Sequence, residues 1–279
     1  MKKYLILGLI FGLLVSVGVA LAAKPNFIEK DVIPSGGHAT VSIPEGAAEV
    51  APGVFYLGIS VDNGRLVEGY AFVDYKKGFA KPPWAGGGKN GGTDTSSCYG
   101  FLAKGAKWKV IEDWVVNPAN TEGLTNSFIL SNLSGDIGKW EAAAGADILG
   151  GGSVTSATLV ADTNSPDKQN EVYFADIDSP GAIGVTIVWG IFGGPPFARE
   201  LVEWDQVYDD VDFNWSSVGE AGKMDFENIA THELGHSVGM GDLYESTCSE
   251  QTMYGYASYG ETKKQTLEAG DIAGIQKLY

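Results

Sequence analysis

His232, Glu233 and His236 stand in the run His232-Glu233-Leu234-Gly235-His236, within a segment where Phe226, Ala230, Leu234 and Val238 recur every fourth residue. That recurrence predicts a helix with one core-facing stripe, and Asp225 is placed to cap it. Ile229, His232, Glu233 and His236 share the neighbouring stripe. Two imidazoles one helical turn apart can both reach a single zinc ion. Zinc lowers the pKa of a bound water, an adjacent glutamate can take its proton, and a peptide carbonyl polarised by the same metal is a fitting target. The chain has only three histidines, and two of them stand at this spacing.

Gly239 follows His236 by three residues and Asp242 follows Gly239 by three. Glycine permits a left-handed turn, which would end the helix and bring Asp242 back toward the metal as a third ligand. The remaining histidine, His38, lies far upstream. A ligand from a later helix, Glu261 or Glu268, is the alternative.

The elements that must hold these residues are legible in outline. Ala39 to Ile43, Val54 to Val61 and Tyr70 to Tyr75 pattern as strands separated by turn residues, a small β-rich region. Residues 81–97, rich in Gly and Pro, read as a linker and a domain boundary. Beyond it, Trp108 to Val116 predicts a strand, Glu122 to Trp140 a helix weakened by Gly135, and Glu171 to Phe174, Gly184 to Phe192 and Arg199 to Phe213 further strands. After Thr266 a closing helix carries Ile272, Ile275 and Leu278 on one side, with Glu268 and Asp271 near its start.

The 279 residues, 44% of them apolar, suffice for one large catalytic domain. With 35 acidic against 19 basic residues the net charge is −16, so nucleic acid is excluded as a partner, as is an anionic membrane surface. Residues 1–22 read as a signal peptide: Lys2 and Lys3, an apolar run from Tyr4 to Val19, then Ala20-Leu21-Ala22. Cleavage after Ala22 implies a secreted protein, and an uncleaved segment would make it membrane-anchored; no second span exists. Cys98 and Cys248 in an exported chain predict one disulfide, worth on the order of 4 kcal/mol by loop closure.

His232 through Asp242 resembles the extended zinc motif of the metzincins, with aspartate in place of the usual third histidine, as in snapalysin-like variants. Thr252-Met253-Tyr254-Gly255-Tyr256 looks like the methionine turn beneath the zinc. Leu267 to Tyr279 is similar to the closing helix of matrixins, and Lys107-Trp108-Lys109 is similar to their first strand. The resemblance implies an α+β fold: a twisted, mostly parallel five-stranded sheet with three helices, preceded here by the β-rich region. It implies that an extended substrate lies along the edge strand Gly184 to Phe192, that Met253 supports the metal without binding it, and that Tyr256 walls the pocket after the scissile bond.

The expected organisation is signal peptide 1–22, β-rich region 23–80 (propeptide, accessory domain or spacer), linker 81–97 and catalytic domain 98–279. The latency motif of matrixin propeptides is missing, although a thiolate from Cys98 could occupy the zinc's open position instead of forming the disulfide. Acidic groups at Asp162 and Asp167, at Asp176 and Asp178, and at Asp209, Asp210 and Asp212 offer oxygen ligands for structural calcium. Asn132 and Asn214 begin glycosylation sequons. The expected function is a secreted, monomeric zinc endopeptidase acting on proteins or peptides, with Glu233 as general base. The alternative is a non-catalytic binding protein on the same scaffold, which would have no need of Glu233.

Overall fold

The β-branched and aromatic runs form strands, and the computed structural model describes them within residues 38–79 and 97–279. The signal segment 1–22 and nearly all of the linker 81–97 lie outside the described residues. In chain order the strands are β1 (Ala48–Ala51), β2 (Val54–Asp62), β3 (Arg65–Lys76), β4 (Gly100–Phe101), β5 (Trp114–Asn117), β6 (Gly152–Val154), β7 (Asn170–Ala175), β8 (Ala182–Ile191) and β9 (Glu200–Asp209). Short pairs follow: β10 (Trp215–Ser216), β11 (Met224–Asp225), β12 (Met240–Gly241) and β13 (Tyr256–Ala257). The helices are α1 (Asn126–Ala144), α2 (Phe226–Ser237) and α3 (Ala269–Leu278).

One sheet runs β1-β2-β3-β8-β9-β7-β5-β6, with β13 also paired to β3. Its β6-β5-β7-β9 portion is parallel and β8 is antiparallel to β9. These five strands and three helices make the expected α+β architecture. Two expectations are corrected. Gly184 to Phe192 is not an edge, because β3 pairs along it, and the β-rich region is not a separate module, because β1 to β3 extend the same sheet. The physical reason lies in β3, whose Val67, Ala71 and Val73 are fully buried against Val185, Ile187 and Val41 on the face away from the helices. Sequence patterning can report that a strand has an apolar face but not which strand it pairs with.

Element ends also moved. Among Trp108 to Val116 only the last residues join β5, since Trp108 donates its indole Nε1–H to the Ser237 carbonyl at 2.7 Å and is held at the end of α2. Lys107 to Lys109 is therefore not strand. Helix α1 starts at Asn126 instead of Glu122, because the Asn120 side chain accepts from the Glu122 and Leu124 amides in a turn and Thr125 caps the amide of Phe128. It continues through Gly135 to Ala144. Ala39 to Ile43 contributes only a bridge between Val41 and Ile177.

Candidate metal and catalytic site

Helix α2 is the innermost helix: Asp225 caps it through the Asn228 amide at 2.9 Å, and every residue from Asn228 to Ser237 is buried. Trp140 of α1 donates to the Thr231 carbonyl at 2.9 Å, and β8 and β9 lie on another side. Because α2 is held on several sides, its outward functional stripe has one orientation.

At its end, Val238 and Gly239 donate back to Leu234 and His236, and Gly239 takes φ +102°, a conformation that favours glycine. A Cβ there would also press on the Ala106 carbonyl at 2.9 Å. The reversed chain is pinned by β12 pairing to β4, which is bound in turn by the disulfide between Cys98 and Cys248. Cys98 is thus committed to that bond, and the thiolate latency reading is withdrawn.

The reversal brings Asp242 to the histidines: its Oδ1 lies 3.3 Å from His232 Nε2 and 3.6 Å from His236 Nε2. A fourth side chain joins them. Asp74, from β3, has Oδ2 at 2.8 Å from His232 Nε2 and 3.7 Å from His236 Nε2, and one donor atom from each of the four residues lies within 4.8 Å of the others. Neither Glu261 nor Glu268 belongs to this group; Glu268 instead caps α3, its amide donating to the Asp271 carboxylate.

Both imidazoles are oriented from behind. His232 Nδ1 lies 2.6 Å from the Thr252 carbonyl and His236 Nδ1 lies 3.0 Å from that of Met240, so each ring donates at Nδ1 and presents Nε2. Both Nε2 atoms, Asp242 Oδ1 and both Asp74 oxygens are buried without a hydrogen-bond partner. Buried polar atoms in that condition are costly unless something shared satisfies them, and two imidazoles with carboxylate oxygens are a donor set suited to zinc. The residues present fit that ion.

Glu233 is fully buried beside them, its Oε2 accepting from the Thr186 hydroxyl at 2.5 Å while Oε1 has no partner. Burial, and then the charge of Asp74, pushes its carboxyl well above the usual glutamate range. Burial lowers His232, but the charge of Asp74 together with the contacts to Asp242 and Asp74 outweighs it and lifts the ring to about 9. Lys264, buried and bonded to the Tyr254 carbonyl, is pushed down by desolvation.

The turn beneath the site is held by α3. Asp271 accepts the Thr252 amide at 2.8 Å and the Met253 amide at 3.2 Å. Met253 can sit against the helix only because Gly235 has no Cβ: one would overlap the Met253 sulfur. Tyr256 begins β13, its ring 5.4 Å from Tyr244 and 5.9 Å from Tyr254, and pairs with Tyr75 of β3.

The acidic groups separate by what they bind. Asp209 accepts the Ile177, Val211 and Asp212 amides and Asp210 accepts Thr121, so both serve the backbone. Asp176 and Asp178 take the hydroxyls of Thr40 and Ser42. Asp162, Asp167 and Glu203 instead converge within 4.8 Å, and Asp162 Oδ2 and Glu203 Oε1 are buried without partners.

The matrixin family model matches residues 196–279, which hold the helix motif, the turn at Gly239, Met253 and α3. This part of the chain is matrixin-like. It is similar to matrilysin of Rattus norvegicus, 41% identical over 70 residues, which is 25% of this chain and 25% of that protein. Stromelysin-1 of Equus caballus is 40% identical over 76 residues, 27% of this chain and 15% of that protein. The matched stretch thus spans a quarter or less of these relatives. Metalloproteinase-II from Bacteroides fragilis aligns over 83% of this chain and 77% of its own at 12% identity, with a TM-score of 0.33, too low to carry an argument.

Asp74, Thr186 and Asp271 went unassigned from sequence. Asp74 did leave a signal, a lone charge within the apolar strand Tyr70 to Tyr75.

Proposed function

We propose that this chain is an exported zinc-dependent endopeptidase that hydrolyses protein or peptide substrates. The observation that carries this reading is the convergence of His232 Nε2, His236 Nε2 and Asp242 Oδ1 beside a buried Glu233 with one unpartnered oxygen. Zinc, when bound by these three side chains, supplies a Lewis acid that polarises water and the scissile carbonyl. Glu233 takes the water's proton at Oε1 and returns it to the leaving amine, while Thr186 holds Oε2 and keeps the carboxylate in one orientation. Met253 and Gly239 support the site from below and behind, and Tyr256 walls the side of the cleft beyond the metal. A non-catalytic binding protein would gain nothing from burying Glu233, whose desolvation costs free energy without a structural partner for Oε1.

Stripping the metal with a strong chelator is expected to abolish peptide hydrolysis, and adding back one equivalent of zinc to restore it. Hydrolysis that persists in a sample shown by elemental analysis to be metal-free excludes the proposal.

Residues 1–22 are proposed to direct export, and no described helix is long and apolar enough to cross a membrane. Residues 98–279 are proposed to carry the activity, with the region 23–80 acting on it through β1 to β3, which belong to the same sheet. Asp162, Asp167 and Glu203 are proposed to hold a structural calcium ion, whose oxygen-rich shell their unpartnered atoms would begin to supply. Millimolar calcium added to stripped protein is expected to raise Tm by several degrees, on the order of ligand-linked stabilisation at saturating concentration. Glu203→Gln is expected to lose that gain, and a wild-type Tm indifferent to calcium would remove the site.

A further inference from the structure

Glu233 and Ser237 lie one turn apart on α2, and the sheet beneath them is polar where a core would be apolar. Thr186 of β8 is paired with Gln206 of β9, and Tyr208 follows Gln206 by two residues on the same face. All of these side chains are fully buried. The Tyr208 hydroxyl donates to Gln206 Oε1 at 2.8 Å, Gln206 Nε2 donates to Ser237 Oγ at 2.9 Å, and Ser237 Oγ lies 3.4 Å from the Glu233 carbonyl oxygen. The Thr186 hydroxyl also lies 3.4 Å from that carbonyl oxygen and 2.5 Å from Glu233 Oε2. Gly184, two residues earlier on β8, leaves the room that Oε1 needs, since a Cβ there would overlap it.

We propose that Tyr208, Gln206 and Ser237 form a one-way hydrogen-bond relay that reserves the proton of the Thr186 hydroxyl for the Glu233 carboxyl, and that they are thereby positioning residues for the general base. This rests on the peptidase reading above. Each hydroxyl has one proton to donate, so Thr186 serves either the carbonyl of Glu233 or its carboxyl. The Ser237 proton decides which. A buried phenol needs an acceptor, and the one that Tyr208 reaches is Gln206 Oε1, which fixes the amide with Nε2 toward Ser237. Because Ser237 Oγ accepts from Nε2, its own proton turns to the Glu233 carbonyl, as serine bonds the carbonyl one helical turn back. With that carbonyl supplied, the Thr186 proton goes to Oε2, while Gly184 gives Oε1 its place on the other side. A buried network in which every donor has its acceptor is rigid, and its rigidity here is passed to the carboxyl that does the chemistry. Without the Tyr208 hydroxyl the Gln206 amide can turn over, draw the Ser237 proton to its own oxygen and leave Thr186 shared between two acceptors.

The test is a double-mutant cycle in the full, zinc-loaded chain, with casein as substrate and zinc content and circular dichroism measured for every variant. Thr186→Val, which keeps the side chain's shape, is expected to lower kcat about tenfold with KM and zinc content unchanged, as loss of one hydrogen bond to the reacting group implies, and Thr186→Ser to recover most of it. Tyr208→Phe, which leaves no buried group unsatisfied, and Ser237→Ala are each expected to lower kcat about threefold, and neither to lower it further in a Thr186→Val background. A merely structural role would make those effects multiply, and multiplication overturns the relay. A second readout does not depend on turnover: the infrared band of the Glu233 carboxyl, identified by its loss in Glu233→Gln, is expected to shift in the same direction in Thr186→Val, Ser237→Ala and Tyr208→Phe. A band unmoved in Ser237→Ala and Tyr208→Phe overturns the relay whether or not casein is cut. Shifted bands in a zinc-loaded chain whose wild type leaves casein uncut keep the relay and remove the peptidase reading.

Discussion

Glu233→Gln is expected to lower peptide hydrolysis by at least about 100-fold, roughly 2.7 kcal/mol of transition-state stabilisation, with zinc content unchanged. The amide keeps the size of the carboxyl and can still meet the Thr186 hydroxyl, so packing around α2 is preserved. What it loses is the ability to accept a proton at Oε1, the oxygen without a partner. Glu233 is not among the four side chains whose donor atoms converge, so the metal should stay. The measurement compares Glu233→Gln with wild type, zinc being quantified in both by elemental analysis. Wild-type turnover in a zinc-replete Glu233→Gln sample would refute the general-base role.

Asp242→Ala is expected to lose zinc affinity by a factor on the order of 100 or more and to lose activity with it, since a catalytic site with two remaining ligands holds the ion poorly. The effect should be largest when Asp74 is also replaced, because in the full chain Asp74 still offers an oxygen 2.8 Å from His232 Nε2. Asp242→His should retain zinc, and because a neutral imidazole leaves the metal a stronger Lewis acid than a carboxylate does, the acidic limb of the pH profile should move lower. Titration of each variant against a zinc-competing chromophore separates these expectations. Undiminished affinity in Asp242→Ala, with affinity lost in Glu261→Ala or Glu268→Ala, would transfer the ligand role to the later segment.

The two predictions draw on different kinds of information. The sequence by itself determined that His232, Glu233 and His236 share one stripe of α2, because a spacing of four residues on a capped helix fixes which side chains share a face whatever surrounds them. It also determined the turn at Gly239, because the backbone requirement is local, and the core strands β7, β8 and β9, because their apolar runs are long enough to be buried on both faces. Asp242 was legible for the same reason: three residues after a glycine-terminated helix leave few places to go.

Only the tertiary structure decided what lies across the cleft. That β3 pairs with β8, and that Asp74 falls opposite Gly184 and meets His232, depends on strand partners far apart in the chain, chosen by the fit of Val67, Ala71 and Val73 against Val185 and Ile187. Patterning at a period of two states which face of a strand is buried and is silent about its neighbour. The same holds for Asp271 beneath Met253: its position near the start of α3 is readable as a helix signal, whereas its bonds to the Thr252 and Met253 amides arise only when the closing helix docks. Short-range geometry therefore specified the helix motif and the turn after it, and long-range packing specified which strand faces them.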